Sequence, residues 1–445
     1  MRKILIIGSG KSTPYLIKFL LDQAPKQKLN ITIAGLDLQN VKQLTNKIAN
    51  VKTLPLDALQ HTPRANAVKN SDLVISMLPA SQHIWVAKDC LEHNKHLITA
   101  SYVSPEMETL NKAAQAKGLI FLNEMGLDPG IDHMSAMQTI DQIKDLGGQI
   151  NTFKSYTGGL VAPQQNPSLW NYKFTWNPRN VVIAGQGSAA KFLQSGQVKY
   201  TAYQQLFKRT QELNIDNVGK FEAYANRDAL KYQKKYKLQA ATTLFRGTLR
   251  PLGFCNAWHT FVALGITDDN YTMNTNNMSY PNFIDSFLPH HPTQSIENKL
   301  KNILNINSSH PIYKKLNELN IFNPNKKIPL KKATPAQVLE YILTQNWTLK
   351  PKEKDMVIMR HEFEYTLNQK KYLKKSTLVS YGKDQTYTAM AKTVGLPLGM
   401  AALAILNKKI TTTGVQIPTS KQIYNPVLQN LKDQGIAFNE HTSLI

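Results

Sequence analysis

The chain has 445 residues, of which 42% are hydrophobic, and this is enough for two or three domains with a large buried core. Its 53 lysine and arginine residues against 30 acidic ones give a formal net charge of +23, but no separate basic tail stands out, which disfavours a dedicated nucleic-acid-binding protein. The two cysteines, Cys90 and Cys255, lie far apart and outside any zinc-binding spacing, which disfavours a disulfide framework and a metal site.

Neither of the two apolar runs in the sequence is typical of a membrane segment. The first starts near the N-terminus and ends at Gly8, which is too soon for the apolar region of a signal peptide. The second covers residues 395–406 and contains Pro397, and it is shorter than the roughly 18 residues that a membrane span needs. We therefore predict a cytoplasmic protein with no membrane partner and a reducing environment for its thiols.

The first 125 residues alternate short apolar runs with segments of helical spacing. We predict strands over residues 3–7, 31–34, 73–78, 96–100 and 119–123, and helices over residues 15–21, 41–48, 84–93 and 106–117. Strands this apolar, separated by helices, are typical of a parallel sheet covered on both faces. The N-terminal third is therefore predicted to be a doubly wound α/β domain of the Rossmann type.

The pattern changes after residue 128. A helix is predicted over residues 132–146, strands over 152–156, 181–184, 197–203 and 242–249, two paired strands over 356–365 and 374–381, and an apolar helix over 388–406. We predict a Rossmann domain over residues 1–128, completed by about 386–445. An α+β substrate-binding and dimerisation domain is predicted over 129–385, with a mainly helical insertion at about 265–350.

A glycine-rich turn follows the first predicted strand and precedes the first predicted helix. Gly8 permits the tight turn, and Gly10 allows the backbone to approach a pyrophosphate. Lys11 and Ser12 are candidates for further phosphate contacts at the N-terminus of the helix. Thr13 stands where the dinucleotide-binding pattern usually has glycine or alanine, but the strand–turn–helix context still favours a dinucleotide site.

The same turn also contains Gly10-Lys11-Ser12, which is part of the pattern of a nucleoside-triphosphate-binding loop. That loop needs a second glycine five positions before Gly10, and the residue there is Leu5. The sequence therefore disfavours a kinase or an ATPase.

The end of the second strand is expected to help choose between NAD and NADP, because an acidic side chain there bonds the ribose hydroxyls of NAD. Asp37 is the candidate, and its alternative role is to cap the following helix. Two further pairs of residues are expected to contact the cofactor. They are Leu56 with Asp57, near the adenine, and Leu78 with Pro79, after the third predicted strand.

Several distinctive blocks of residues follow one another along the chain. The first two are Ser101-Tyr-Val-Ser-Pro105 and Asn123-Glu-Met-Gly-Leu-Asp-Pro-Gly-Ile-Asp-His133. Further blocks lie at residues 156–159, 172–179, 224–228, 245–250, 360–364, 388–392 and 414–418. Together they resemble the saccharopine dehydrogenase family of the glutamate-forming type, also called saccharopine reductase. The resemblance spans essentially the whole chain and is weakest between about 265 and 350.

This resemblance implies an NAD(P)-dependent oxidoreductase of lysine metabolism, and it implies a homodimer. The reaction would reversibly convert saccharopine and water to glutamate and 2-aminoadipate 6-semialdehyde. Fungal members of the family use NADP and carry Cys-Arg-Thr after the second strand, where this chain has Gly35-Leu36-Asp37. The resemblance therefore leaves both NADP and NAD open as the cofactor.

Saccharopine is an amino-acid derivative with three carboxylates, so its pocket needs cations with planar, bidentate donors, which arginine supplies better than lysine. Arg227 and Arg246 match family blocks associated with the substrate carboxylates. Gly247 and Thr248 would add backbone and hydroxyl contacts beside Arg246. From the residues alone, a salt bridge between domains is the alternative role for each arginine.

Residues near the nicotinamide are also implied by the resemblance. Ser101, Tyr102 and Asp128 match positions that line the cleft there, with Leu127 and Pro129 beside Asp128 as further cofactor contacts. Lys173 and Trp176 match a block that folds over the cofactor, and core packing is the alternative for Trp176.

Protons must move several times in this reaction, so a group that titrates near the working pH would help. Asp128 is the first candidate, because its carboxylate could stabilise a developing iminium, and Tyr102, Lys173 and His133 are the others. The alternative role of Asp128 is to cap the helix predicted from residue 132.

Two other functions remain open from the sequence. One is a related carboxyalkyl-amine dehydrogenase that resembles carboxynorspermidine synthase and acts on a polyamine with fewer carboxylates. The paired Arg227 and Arg246 favour a multiply anionic substrate over it. The other is a nonenzymatic dinucleotide-binding regulator. Salt-sensitive binding to nonspecific DNA would support that function.

Overall fold

The computed structural model describes residues 1–45, 48, 50–163 and 168–445. It divides into two compact units. Unit 1 comprises Met1–Ile150, Lys235–Lys237 and Glu364–Ile445, and unit 2 comprises Asn151–Lys234 and Leu238–Phe363.

The strands and helices alternate through the first part of the chain and then separate into longer groups. The strands are β1 (Arg2–Ile7), β2 (Leu29–Gly35), β3 (Val51–Pro55), β4 (Leu73–Ser76), β5 (His96–Thr99), β6 (Ile120–Leu122), β7 (Gln149–Val161), β8 (Ala190–Gln194), β9 (Gln197–Thr201), β10 (Thr210–Ile215), β11 (Gly219–Ala225), β12 (Thr243–Pro251), β13 (Met273–Asn274), β14 (Lys332–Ala333), β15 (Asp355–Leu367), β16 (Lys370–Tyr381), β17 (Gly414–Gln416) and β18 (Asn439–Leu444). The helices are α1 (Pro14–Gln27), α2 (Gln39–Thr45), α3 (His61–Lys69), α4 (His83–Glu92), α5 (Pro105–Thr109), α6 (Asn111–Ala116), α7 (Ile131–Asp145), α8 (Pro178–Val182), α9 (Tyr203–Leu206), α10 (Phe254–Ala263), α11 (Tyr280–Asp285), α12 (Ile296–Leu304), α13 (Pro311–Glu318), α14 (Pro335–Trp347), α15 (Ala389–Leu406) and α16 (Lys421–Asp433).

Unit 1 is built on a parallel sheet with the strand order β17-β6-β5-β4-β1-β2-β3. The central strand β1 pairs in parallel with β2 on one side and with β4 on the other, and its residues from Ile4 to Ile7 are buried. The order reverses between β1 and β4, and ligands of such sheets bind beyond the carboxyl ends of the strands at this point. The predicted doubly wound Rossmann-type fold is confirmed.

Helix α15 covers this sheet together with α1. A Cβ atom on Gly395 would lie 2.8 Å from the backbone nitrogen of Leu16, and one on Gly399 would lie 2.6 Å from Cδ1 of Phe19. The two glycines therefore allow the close approach of the helices. Helix α15 is long and apolar enough to cross a membrane by length and composition, but 78% of it is buried, which is typical of a core helix.

Unit 2 contains a mixed sheet in which β10, β11, β12, β7 and β15 are neighbours in that order. Strands β12 and β7 are parallel, whereas β11 is antiparallel to both β10 and β12. An aromatic core lies beside the sheet, with Trp170, Trp258 and Trp347 each at most 1% exposed. Trp347 lies on helix α14, so the region between residues 265 and 350 contributes to the core of this unit.

The structure differs from the sequence predictions at several elements. Residues 181–184 were predicted as a strand, but Val181 and Val182 end helix α8, because Asn177 caps its N-terminus and Pro178 occupies the first turn. The helix predicted over 106–117 is two short helices, α5 and α6, and the strand β3 and helix α3 were not predicted. The helix predicted over 41–48 is α2, and residues 46 and 47 of that prediction lie outside the described residues.

The two units also divide the chain at a different place from the predicted boundary at 128/129. Helix α7 belongs to unit 1. It packs against α16, and the hydroxyl of Tyr424 donates a 2.7 Å hydrogen bond to the buried Asp141. This contact between distant parts of the sequence explains why the boundary is not visible locally.

Candidate active site

The turn after β1 forms a cradle at the carboxyl edge of the parallel sheet. Gly8 has a φ of 112°, and a Cβ atom on it would lie 2.8 Å from the carbonyl oxygen of Met77. Only glycine fits there without displacing the neighbouring strand end. A Cβ on Gly10, in contrast, would meet nothing within 4 Å, so this part of the turn borders open space.

Helix α1 begins directly beyond this turn. The Thr13 hydroxyl donates a 2.7 Å hydrogen bond to the carbonyl of Gly10, and Pro14 occupies the first helical turn. Lys11 is exposed and Ser12 is half-buried. The open backbone of the turn and the positive end of the helix dipole fit the pyrophosphate of a dinucleotide, with Gly10, Lys11 and Ser12 as the residues that would hold it.

The residues predicted near the adenosine lie after β2 and β3. The backbone nitrogen of Leu56 donates to the carbonyl of Gly35 at 3.1 Å, which brings the two strand ends together. Asp37 Oδ1 accepts from the backbone nitrogen of Gln39 at 3.0 Å, and Asp57 Oδ1 accepts from that of Leu59 at 2.9 Å. Asp37 therefore bonds the first residue of α2, but it is not the N-cap, because the carbonyl of Leu38 accepts the first intrahelical bond, from the backbone nitrogen of Lys42.

A buried hydrogen-bonded chain lies where β4 and β5 end. The Ser76 hydroxyl lies 2.8 Å from Nδ1 of His83, and Nε2 of His83 lies 2.8 Å from the hydroxyl of Ser101. Leu78 and Pro79 lie in the turn between Ser76 and His83. His83, which bonds the side chain of the predicted site residue Ser101, was not among the residues predicted from the sequence.

Burial lowers the pKa of His83 to about 4, so the folded state favours the neutral imidazole. The unfolded chain binds the proton more readily between about pH 4 and the ordinary histidine value of about 6.5. The free energy of unfolding should therefore fall as the pH is lowered through this window, by on the order of 2–3 kcal/mol near pH 4.5. We expect His83→Gln to remove this part of the pH dependence.

Urea denaturation of both proteins at pH 7.5 and pH 4.5 would measure the effect. The exposed His290→Gln serves as the matched control and should keep the pH dependence of the unsubstituted protein. A His83→Gln variant that loses as much stability on acidification as the control would contradict the assignment.

Tyr102 and Asp128 form the second polar feature of this edge. The Tyr102 hydroxyl donates a 2.9 Å hydrogen bond to Asp128 Oδ1, and both residues are partly exposed. Helix α7 has Gly130 as its N-cap, and Asp132 Oδ1 accepts from the Gly130 nitrogen at 2.6 Å. The capping alternative for Asp128 is therefore not observed, and its carboxylate lies with Tyr102. Leu127 and Pro129 flank it in the same loop, both buried.

Glu124 bonds both the segment after Tyr102 and helix α7, which follows Asp128. Its Oε1 accepts from the backbone nitrogen of Val103 at 3.1 Å, and its Oε2 lies 2.7 Å from Nε2 of His133. Burial raises the pKa of Glu124, but the hydrogen bond and charge of His133, the hydrogen bond from Val103 and the charge of Lys235 together hold this pKa below its ordinary value. Nδ1 of His133 is hydrogen-bonded to the hydroxyl of Tyr236. His133, a candidate for proton transfer from the sequence, is thus a fully buried partner of Glu124. Glu124 itself was not predicted as a site residue.

The predicted substrate residues lie in unit 2. Arg246 is on β12 and only 3% exposed, and its guanidinium carbon lies 4.7 Å from the ring centre of Tyr232. Arg227 follows β11 and is exposed. The backbone nitrogen of Asn226 donates to the carbonyl of Arg246 at 2.8 Å, so the two arginines come from adjacent positions at one end of this strand pair. Gly247 and Thr248 follow on β12, opposite Ala225 and Tyr224 respectively.

Lys173 and Trp176 lie between the aromatic core and the surface of unit 2. The Lys173 ammonium donates a 3.0 Å hydrogen bond to the carbonyl of Asn346 and lies 3.5 Å from Glu353 Oε2. These contacts suit a structural cation, and proton transfer by Lys173 stays a prediction. Trp176 is partly buried against the aromatic core, as its packing alternative requires.

The described ranges contain no group of three or more His, Cys, Asp or Glu side chains that could hold a metal ion. The Rossmann sheet, the phosphate cradle and the polar residues at its carboxyl edge define a nicotinamide-dinucleotide-dependent oxidoreductase. Residues 4–122 match the family described as the saccharopine dehydrogenase NADP binding domain, and residues 126–436 match the saccharopine dehydrogenase C-terminal domain. The chain belongs to the saccharopine dehydrogenase family.

Individual relatives agree with this assignment. The chain is 33% identical over 460 residues to the NADP(+)-dependent, L-glutamate-forming saccharopine dehydrogenase of Schizosaccharomyces pombe, covering 99% of each protein. It is 33% identical to the alpha-aminoadipic semialdehyde synthase of Arabidopsis thaliana, where 96% of this chain covers 42% of the longer protein. The structure of apo L-glutamate-forming saccharopine dehydrogenase from Saccharomyces cerevisiae covers 100% of both chains at 29% identity with a TM-score of 0.87.

Proposed function

We propose that this protein is an L-glutamate-forming saccharopine dehydrogenase. It would interconvert saccharopine and water with glutamate and 2-aminoadipate 6-semialdehyde, using NAD or NADP, in lysine metabolism. The observation that carries the proposal is the Tyr102–Asp128 hydrogen bond at the carboxyl edge of the dinucleotide-binding sheet, in a chain that matches an enzyme of this name over 99% of its length.

The substrate class follows from the arginines of unit 2. Arg246 is a desolvated guanidinium, and Arg227 follows the neighbouring strand. Planar guanidinium groups bind carboxylates through two parallel charge-assisted hydrogen bonds, and saccharopine has three carboxylates. These residues would bind the substrate carboxylates. They would thereby hold the reacting carbon of saccharopine in position for hydride transfer.

The chemistry places specific demands on the residues of unit 1. When bound, the nicotinamide supplies the hydride acceptor. The secondary amine of saccharopine must be neutral before the neighbouring carbon gives up its hydride, because a protonated nitrogen has no electron pair to form the new double bond. Positive charge then develops at that nitrogen, and the Asp128 carboxylate would stabilise it.

Tyr102 would orient the carboxylate of Asp128, and Ser101 would line the cleft on the nicotinamide side. The Tyr102 hydroxyl donates to Asp128, which fixes the carboxylate, and His83 holds the hydroxyl of Ser101. Water then adds to the carbon–nitrogen double bond, and cleavage of the carbon–nitrogen bond releases glutamate. Asp128 is the first candidate to hold the proton that moves in this step.

The first experiment is an absorbance assay for reduced nicotinamide, with the purified protein, saccharopine, and NAD or NADP in parallel. We expect saccharopine-dependent reduction with stoichiometric glutamate. Carboxynorspermidine serves as the matched alternative substrate. Reduction with carboxynorspermidine and none with saccharopine would overturn the substrate assignment, and no reduction with either would overturn the proposed function.

We also propose a homodimer in the cytoplasm. The family resemblance supports the dimer, and the free thiols of Cys90 and Cys255, both buried, suit a reducing compartment. The net charge of +23 would attract the multiply anionic substrate. Light scattering coupled to size-exclusion chromatography would measure the mass in solution, and a mass of about 50 kDa would contradict the dimer.

A further inference from the structure

The segment that follows β2 lies directly beside the phosphate cradle. The Ser9 hydroxyl donates a 2.5 Å hydrogen bond to the carbonyl of Asp37, and a Cβ on Gly35 would lie 2.8 Å from the same hydroxyl oxygen. Gly35 therefore allows the strand end to approach the cradle closely. In sheets of this kind, the end of the second strand faces the 2′ position of the adenosine ribose.

The Asp37 side chain is held in place at this point. Its Oδ1 accepts from the backbone nitrogen of Gln39 at 3.0 Å, while the residue as a whole is exposed. Among the described residues, Oδ2 has no hydrogen-bond donor, so a ribose hydroxyl can donate to it. The backbone thus fixes one carboxylate oxygen and leaves the other for a ligand.

The charge of this segment does not fit a 2′-phosphate. From residue 34 to residue 45, Asp37 is the only acidic residue and Lys42 is the only basic one. Leu36, immediately before Asp37, is 81% exposed and offers no side-chain donor. A 2′-phosphate would bring about two negative charges next to a carboxylate, and like charges placed together are strongly disfavoured.

We propose that Asp37 determines cofactor specificity and makes this protein select NAD(H) over NADP(H). The dinucleotide fits the cradle of Gly8 and Gly10, whereas its 2′-phosphate does not fit the end of β2. This differs from the cofactor in the names of the matched family domain and of the Schizosaccharomyces pombe relative. The inference rests on the dinucleotide use of the proposed function but not on its substrate.

The test is a fluorescence titration of the protein with NADH and with NADPH, without substrate. We expect the dissociation constant of NADH to be at least about tenfold lower than that of NADPH, since the Asp37 carboxylate repels the 2′-phosphate. Asp37→Asn keeps the acceptor for the backbone nitrogen of Gln39 but removes the charge. It should bring the dissociation constants of NADH and NADPH closer together, mainly through tighter NADPH binding. Leu36→Arg combined with Asp37→Asn should reverse the preference, because arginine suits a phosphate.

Asp72→Asn is the matched control. Its carboxylate accepts from the backbone nitrogen of Lys3 at 2.7 Å, at the amino edge of the same sheet, so it removes the same charge away from the cradle. The control should keep the ratio of the unsubstituted protein. NADPH binding as tight as or tighter than NADH binding would overturn the proposal, and so would an unchanged ratio in Asp37→Asn.

The outcomes also separate this inference from the proposed function. A preference for NADH that depends on Asp37, in a protein that does not turn over saccharopine, would support the inference and overturn the function. No binding of either reduced dinucleotide would overturn both.

Discussion

Replacing Arg246 with alanine is expected to raise the KM for saccharopine by about 100-fold, because a buried charge-assisted pair is typically worth 2–5 kcal/mol. The dissociation constant of the reduced cofactor should change by less than about twofold, since the dinucleotide is held by backbone groups of the cradle. Steady-state kinetics and a cofactor titration on the same preparation would measure both quantities.

The expectation follows from the burial of Arg246. Its side chain is 3% exposed and lies over the ring of Tyr232, so its charge is largely desolvated. A carboxylate that reaches it gains far more than it would at a solvated surface. Arg246→Lys keeps the charge but loses the planar pair of donors, and we expect an intermediate KM.

Arg227→Ala tests the second cation with less risk to the fold, because Arg227 is exposed. It too should raise the KM for saccharopine far more than the dissociation constant of the cofactor. Arg209→Ala, an exposed arginine of the same unit, is the control and should change neither. If Arg227→Ala weakens substrate and cofactor equally, the arginine does not bind a substrate carboxylate.

Asp128→Asn is expected to lower kcat by about 100- to 1000-fold, the usual contribution of a group that exchanges protons with the substrate. The KM for saccharopine should change much less, since the arginines still bind its carboxylates. The variant should fold, because the N-cap of α7 is Gly130 and the side chain of Asp128 does not cap the helix. Initial rates over a range of saccharopine concentrations separate kcat from KM.

Tyr102→Phe should lower kcat by a smaller factor, about tenfold, because it removes one hydrogen bond to the Asp128 carboxylate and leaves the carboxylate itself. Asp145→Asn is the matched control, since Asp145 lies at the exposed end of α7 and bonds Lys421. It should leave kcat unchanged. An Asp128→Asn enzyme with an unaltered kcat would show that substrate or bulk water carries the protons.

Much of unit 1 could be predicted because its signals are local. Uninterrupted apolar runs fill most of β1, from Ile4 to Ile7, and of β4, from Leu73 to Ile75, which is typical of strands buried on both faces. Glycines stand where the first strand turns into a helix. The phosphate cradle at Gly8 and Gly10 therefore follows from sequence. The prediction of a strand at 181–184 was wrong. The β-branched Val181 and Val182 favour a strand, but the N-cap at Asn177 starts a helix that includes them.

Local sequence patterns were enough to predict the doubly wound sheet and the glycine turn after its first strand, whereas the substrate residues stay predictions. Only the tertiary structure decided which polar groups meet. In the folded chain His83 bonds Ser101, 18 positions away, and His133 bonds Tyr236, 103 positions away. The Asp128 carboxylate accepts a hydrogen bond from Tyr102 and does not cap the helix. The physical reason is that periodicity and capping act within a few residues, whereas burial and hydrogen bonding between distant segments depend on how the whole sheet and its helices pack.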